Sequence, residues 1–281
     1  MKFRIKPLIA AIALLGASTL AQAEVKIVKT VTGVETPESV LVAPDGKIYV
    51  SEIAEFGKDG DGKISVIEGG KRKIFAEGMD DPKGLAYSKG ALYVADKTRI
   101  LKVEKNGKWA VFVAADAFPA KPQFLNDLTT DKAGNIYVSD SGDLQGKGGA
   151  VFRIAPDGKV SNIVSSTEDK RVLAPNGLLP DGNDLLMVDF VSGILYRITL
   201  KTGRMTQVAE GFGGGDGIAR DRNGTLWISD WKTGRLFTLK KDGELKFVKD
   251  GFKAAADITI ATDGKTVLVP DMKAGEIVWV R

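Results

Sequence analysis

Six polar residues stand at matching points along the chain: Glu38, Lys83, Asn126, Asn176, Asp216 and Asp257. Each opens a short apolar segment. Glu38 and Asp216 offer carboxylates, and Asn126 and Asn176 offer amide oxygens. That set suits Ca²⁺, which takes roughly six to eight oxygens in irregular geometry, whereas Mg²⁺ asks for a tighter octahedron and keeps more water. The chain contains no histidine and no cysteine. This removes Ser-His-Asp and Cys-His catalysis, a histidine general base and N/S-ligated zinc. Chemistry here must use carboxylates, amides, hydroxyls, lysines or a metal held by oxygen. A turn role competes for Asn176-Gly177 and Asp216-Gly217 taken singly. Four oxygen-bearing residues at one repeat position favour a ligand role, because burying them unsatisfied is costly.

The elements that position these residues repeat. A strand ending in an acid occurs at Ile48-Tyr49-Val50-Ser51-Glu52, Leu92-Tyr93-Val94-Ala95-Asp96 and Ile136-Tyr137-Val138-Ser139-Asp140. It returns at Leu185-Leu186-Met187-Val188-Asp189, Leu226-Trp227-Ile228-Ser229-Asp230 and Val267-Leu268-Val269-Pro270-Asp271. The acids lie 44, 44, 49, 41 and 41 residues apart. Such a period in an all-β pattern marks propeller blades of four strands each. Six copies predict an all-β, six-bladed β-propeller.

Within each copy an apolar strand comes first, then a turn such as Asp45-Gly46 or Asn223-Gly224, then the acid-ended strand and two more. These dipeptides supply the positive φ of tight hairpins. The innermost strands of a propeller line its channel, so the six polar residues gather near one end of the axis. The last copy runs out at Arg281 before a fourth strand, while 24–31 is an orphan strand ahead of the first copy. The N-terminal strand is therefore expected to complete the final blade and close the ring. The acid recurs in every blade, which points to a structural role of ending a strand and accepting nearby backbone amides.

The chain opens with Lys2, Arg4 and Lys6, an apolar run over 8–20 and Ala21-Gln22-Ala23. This is the pattern of a secretory signal peptide (1–23), and the run is too short to span a bilayer. Export to the periplasm or beyond is expected, with 24–281 forming a single propeller domain and no membrane span after cleavage. The formal net charge of +4 loses those three cations and falls to +1. No clustered basic face argues for nucleic acid. Without disulfides the domain relies on its core, which a chain of this length can bury.

Pro37-Glu38, Leu125-Asn126-Asp127, Pro175-Asn176-Gly177 and Gly215-Asp216-Gly217 resemble, in order, the motifs of the senescence-marker-protein/gluconolactonase family, to which diisopropyl fluorophosphatases and paraoxonases are more distantly related. The resemblance implies that Glu38, Asn126, Asn176 and Asp216 bind a catalytic Ca²⁺, and that Asp216 also serves as base or nucleophile. Lys83 and Asp257 depart from the family pattern. They would form an ion pair, bind an anionic substrate or add a ligand, with Asp257 aiding Asp216 in catalysis. Gly215 stands where proline is usual.

Residues 57–68 resemble part of an EF-hand loop, but Gly57 occupies the first ligand position and no helices flank it, so a polar loop in blade 1 is favoured over a second Ca²⁺ site. That loop and 141–148 in blade 3 are both expected to border a pocket over the ring. Phe118, Phe124, Phe190 and Trp231 lie in or beside loops on the same face. Of these Phe124, Phe190 and Trp231, with Lys83 and Asp127, are the expected substrate contacts. The leading functional expectation is a monomeric Ca²⁺-dependent hydrolase of a small lactone or ester. The alternative is a non-enzymatic propeller that binds a small ligand or a protein around a structural Ca²⁺. A strictosidine-synthase-like or redox propeller ranks third, since the four-residue metal set would then lack a purpose.

Overall fold

The protein is described by a computed structural model covering residues 25–281; the predicted signal segment lies outside the described residues. These residues form six four-stranded antiparallel sheets, five of them with strands in chain order joined by hairpins and the sixth completed by the N-terminal strand. Blades 1 to 5 begin with the strands Pro37–Val42, Pro82–Ser88, Leu125–Thr130, Pro175–Asp181 and Gly215–Arg220. Blade 6 begins with the short strand Thr259–Ile260 and runs outward through Val267–Asp271 and Glu276–Val280. Its outermost strand is the N-terminal Ile27–Thr32, antiparallel to Glu276–Val280. The ring closes as expected. A parallel bridge between Ser39 and Asp257 joins the innermost strands of blades 1 and 6.

Burial follows position in the blade. The acid-ended strands are sandwiched between neighbouring sheets, and Ala91–Asp96, Ile136–Asp140, Leu226–Asp230 and Val267–Asp271 are buried along their whole length. Strands buried on both faces read as near-continuous Val, Ile and Leu. Outer strands such as Leu245–Lys249 meet water and carry lysines. The repeated acids act structurally. Asp96 accepts the amides of Asp80 and Asp81, Asp140 those of Gln123 and Phe124, Asp189 those of Leu173 and Ala174, and Asp271 those of Lys253 and Ala254, at 2.8–3.0 Å. Each thereby staples the segment that leads into its own innermost strand.

The innermost strands carry a feature that strand patterning alone does not show. Pro37 pairs with Glu52 and Val40 with Val50, so Glu38 and Ser39 together oppose the single residue Ser51. The same two-against-one bulge follows Pro82, Leu125, Pro175 and Gly215. A bulge re-aims a side chain and leaves one amide without its ladder partner. The serine before the acid accepts that amide. Ser51 Oγ takes it from Ser39, Ser139 Oγ from Asp127 and Ser229 Oγ from Gly217, at 2.8–2.9 Å.

Blade 6 corrects one alignment. Its first hairpin encloses six residues between Ile260 and Val267, whereas blade 1 encloses five between Val42 and Ile48. Asp271 faces Ala255, so the position equivalent to Glu38 is Ala256, and Asp257 matches Ser39. The expected six-membered polar ring is therefore five polar residues and one alanine, because a one-residue slip moves every side chain to the other face.

Candidate metal centre and substrate cavity

The five polar bulge residues meet at one end of the channel. Glu38, Lys83, Asn126, Asn176 and Asp216 are all at most 4% exposed and line one cavity of about 230 Å³. Glycine at the second bulge position lets neighbouring innermost strands approach. A Cβ on Gly177 would lie 2.2 Å from the Asp216 carbonyl oxygen, and one on Gly84 would lie 2.5 Å from that of Asn126. Only glycine tolerates such contact, and the packing brings the ring residues of adjacent blades together.

Hydrogen bonding orients the two amides in the same sense. Asn126 Nδ2 donates to Ser141 Oγ at 3.0 Å, and Ser141 Oγ donates onward to the Pro175 carbonyl at 2.6 Å. Asn176 Nδ2 donates to Asp216 Oδ2 at 3.3 Å. Both amide nitrogens are thus engaged with the protein while Asn126 Oδ1 and Asn176 Oδ1 are buried without a partner. Glu38 Oε2 and Asp216 Oδ1 are orphaned likewise; a fifth such atom among the described residues, Asp61 Oδ1, belongs to the blade 1 loop. Four acceptor oxygens with no donor form a cradle for a cation.

The charges agree. Burial pushes the Glu38 carboxyl well above its ordinary range, reinforced by the charges of Asp216 and Asp257. Burial and then the Asp257 charge do the same to Asp216, against the Asn176 hydrogen bond. A bound cation would invert this logic and hold both carboxylates ionised. Among the described residues no three acidic side chains converge as a metal cluster. The cradle instead mixes two carboxylates with two amides, a hard-oxygen set that fits Ca²⁺.

Lys83 occupies the blade 2 position between Glu38 and Asn126. Its Nζ donates to the Asp81 carbonyl at 3.0 Å and lies 4.3 Å from the centre of the Phe124 ring. Burial pulls its pKa down, opposed by the Glu38 charge. Phe124, Phe190 and Trp231 line the cavity, and the last two meet edge to face at 6.1 Å. Phe118 does not; it packs on Phe152 in the core.

Asp127 and Asp257 are placed differently from the expectation that they touch substrate or assist Asp216. They occupy the second bulge position of blades 3 and 6 and line a separate cavity of about 350 Å³, further along the same strands. Their oxygens are engaged. Asp127 accepts the amides of Leu128 and Leu178 at 2.6 Å each, and Asp257 accepts Ser39 Oγ at 2.5 Å. Burial raises the Asp257 carboxyl to about 7, and burial with the Asp257 charge raises Asp127 well above its usual range.

Three wall residues escaped the sequence reading: Phe56, Leu144 and Met272. Met272 follows the repeated acid as Phe190 and Trp231 do, and that shared offset would have found it. Phe56 and Leu144 sit in the two loops expected to border the pocket. The EF-hand-like loop carries its charges apart. Asp59 pairs with Lys97 at 2.6 Å, Asp61 with Lys58 at 3.5 Å, and Glu68 with Lys73 at 3.7 Å.

Fold and cradle together define a six-bladed propeller with four unpartnered side-chain oxygens gathered at one end of its axis. Residues 78–269 match the SMP-30/gluconolactonase/LRE-like region, and the chain belongs to that family. Strictosidine synthase-like 3 of Arabidopsis thaliana is 25% identical over 317 residues, covering 92% of this chain and 78% of that protein. A gluconolactonase from Xanthomonas campestris superposes with a TM-score of 0.72 at 18% identity, covering 89% of this chain and 87% of that one. The calcium-binding protein regucalcin from Agrobacterium tumefaciens does so with a TM-score of 0.72 at 18% identity, covering 90% and 93%. At these identities the likeness of the two structures is one of fold.

Proposed function

We propose that this protein is an exported, monomeric, Ca²⁺-dependent hydrolase of a small lactone or ester. The observation that carries the reading is the set of four orphaned oxygens, one each on Glu38, Asn126, Asn176 and Asp216, at the base of one cavity. A divalent cation held there would polarise the substrate carbonyl and stabilise the charge that develops on its oxygen.

The chain's own groups supply the rest. Asp216 gives Oδ1 to the cradle and holds Oδ2 on Asn176 Nδ2, so Oδ2 is the oxygen that takes the proton of a water as it attacks the carbonyl carbon. As the carbon–oxygen bond to the leaving group breaks, that proton passes to the departing alkoxide. The Lys83 ammonium lines the same cavity and adds positive charge beside the reacting oxygens. The carboxylates of Glu38 and Asp216 carry −2, Lys83 +1 and the cation +2, so the loaded site has net +1, a sign that favours an oxyanion.

The test is hydrolysis of a lactone and ester panel by the purified protein before and after chelation, with Ca²⁺ restored afterwards. Turnover lost on chelation and regained on Ca²⁺ addition is expected; turnover indifferent to chelator overturns the reading. Cell fractionation with an intact and a truncated N-terminus checks export, which the 1–23 segment supports.

A further inference from the structure

We infer that the substrate is an apolar, hydroxyl-poor lactone or ester of about one ring and a few further carbons, selected by an aromatic wall rather than by polar contacts. The inference rests on the hydrolase reading above and narrows it.

Polar groups line the cavity only at its base. The remaining lining is Phe56, Phe124, Leu144, Phe190, Trp231 and Met272. A polyhydroxylated lactone would bury hydroxyls against these side chains without partners, and every such hydroxyl weakens binding. The size also fits a small ligand. A cavity of about 150 Å³ accepts one benzene ring, and this one measures about 230 Å³.

Two wall residues turn their apolar surface to the cavity rather than to the core. Phe56 is 53% exposed and Leu144 38%, so neither contributes a buried core contact. Leu144 moreover holds φ at +59°, a left-handed conformation that a bulky residue adopts at a cost in strain. The loop is built to keep it there. Asp143 Oδ1 accepts the amides of Gln145 and Lys147 at 2.8 and 2.9 Å, and Leu144 N bonds the Ser141 carbonyl at 3.2 Å. Two further rings of the wall are clamped by lysines. Lys232 Nζ stands 4.3 Å from the Phe190 centroid and Lys273 Nζ 4.0 Å from that of Trp231. A preorganised apolar wall over a charged base is the arrangement that selects a substrate with one polar reacting group and an apolar body.

The test uses the full protein with excess Ca²⁺, two apolar probes (phenyl acetate and γ-octalactone) and glucono-1,5-lactone. Binding of the lactam analogue of γ-octalactone, which resists hydrolysis, is followed by calorimetry. The apolar probes are expected to exceed glucono-1,5-lactone in kcat/KM by about 100-fold or more. Phe190→Ser and Leu144→Ser should each raise KM for the apolar probes about tenfold, with kcat little changed, and weaken the lactam by the same factor. Glucono-1,5-lactone turned over as fast as the apolar probes, or variants that leave KM unmoved, would overturn the inference and leave the hydrolase reading standing. Lactam binding that both variants weaken, with no turnover of any probe, would support the apolar ligand and sink the hydrolase reading. Absence of both binding and turnover would overturn the two together.

Discussion

Asn176 Nδ2 donates to Asp216 Oδ2 at 3.3 Å, and each of the two residues keeps its Oδ1 buried and unpartnered. The bond spans blades 4 and 5 and points two acceptors at one cavity. Asp216→Asn removes one of the two charges in the cradle. Ca²⁺ affinity should fall on the order of 100-fold, since ligand charge count sets affinity over decades. Turnover should fall with it. In the absence of Ca²⁺ the variant's Tm should hold or rise, because a buried carboxylate that repels Glu38 and Asp257 has gone. Calorimetric titration and melting curves in chelator check both, and a variant that unfolds without Ca²⁺ would instead make Asp216 a packing element.

The stability of the metal-free protein should fall as pH rises. Unfolded aspartate and glutamate titrate near pH 4. In the folded chain Glu38, Asp127 and Asp216 are held well above that range and Asp257 is raised to about 7, each chiefly by burial. The native state therefore holds more protons than the unfolded state above about pH 4, and stability declines with pH over that span. The Asp257 share is complete once pH passes about 7. Ca²⁺ needs the ionised carboxylates and should flatten the curve at neutral pH. Melting curves from pH 5 to 8, with chelator and with Ca²⁺, test this; a Tm in chelator that climbs with pH would contradict it.

The six acids from Glu52 to Asp271 made the blade count legible, because each must end a buried strand and accept amides, and few residue types do both. The types and order of Glu38, Lys83, Asn126, Asn176 and Asp216 were legible for the same reason, and the structure brings these five to one cavity. The two-against-one bulge was not, since it depends on hydrogen-bond register. In blade 6 that mattered. The polar Asp257 drew the alignment past Ala256, and nothing in Asp263-Gly264 reveals that the hairpin around it holds one residue more. Asp127 adjoins Asn126 in sequence, yet successive positions at a bulge face different parts of the channel. Phe56 and Leu144 lie in irregular loops, where no periodicity marks direction.

Gly177→Ala should couple packing to metal affinity. Its Cβ would stand 2.2 Å from the Asp216 carbonyl oxygen and 3.0 Å from Gly217 Cα, so the innermost strands of blades 4 and 5 must separate. Overpacking of this kind costs roughly 1–3 kcal/mol, which lowers Tm by about 2–4 °C per kcal/mol in a domain of this size. Spreading Asn176 from Asp216 should also weaken Ca²⁺ about tenfold or more, as does loss of support around metal ligands. Gly182→Ala is the comparison. Its φ of +68° makes alanine strained, but nothing lies within 4 Å, so Tm should drop with Ca²⁺ affinity intact. Equal Ca²⁺ affinity in the two variants would separate the strand spacing from the cradle.

Closure of the ring should hinge on one side of the strand Ile27–Thr32. Lys29 pairs with Trp279, Thr30 with Val278 and Val31 with Ile277, yet Val31 is the strand's one buried residue. It joins Val34, Val40, Val50, Ile277 and Trp279 in the apolar cluster between blades 6 and 1. Val28 lies on the same strand at 57% exposure, beside an irregularity in the pairing. Val31→Asp places an unpaired polar group in that cluster at a cost of roughly 3 kcal/mol, or about 10 °C in Tm. Val28→Asp should shift Tm by no more than about 2 °C, as surface changes do. Both variants keep the backbone ladder, so the difference reports the seam rather than the hydrogen bonds. Similar melting curves for the two would mean that the ladder to Glu276–Val280 closes the ring without help from the Val31 side chain.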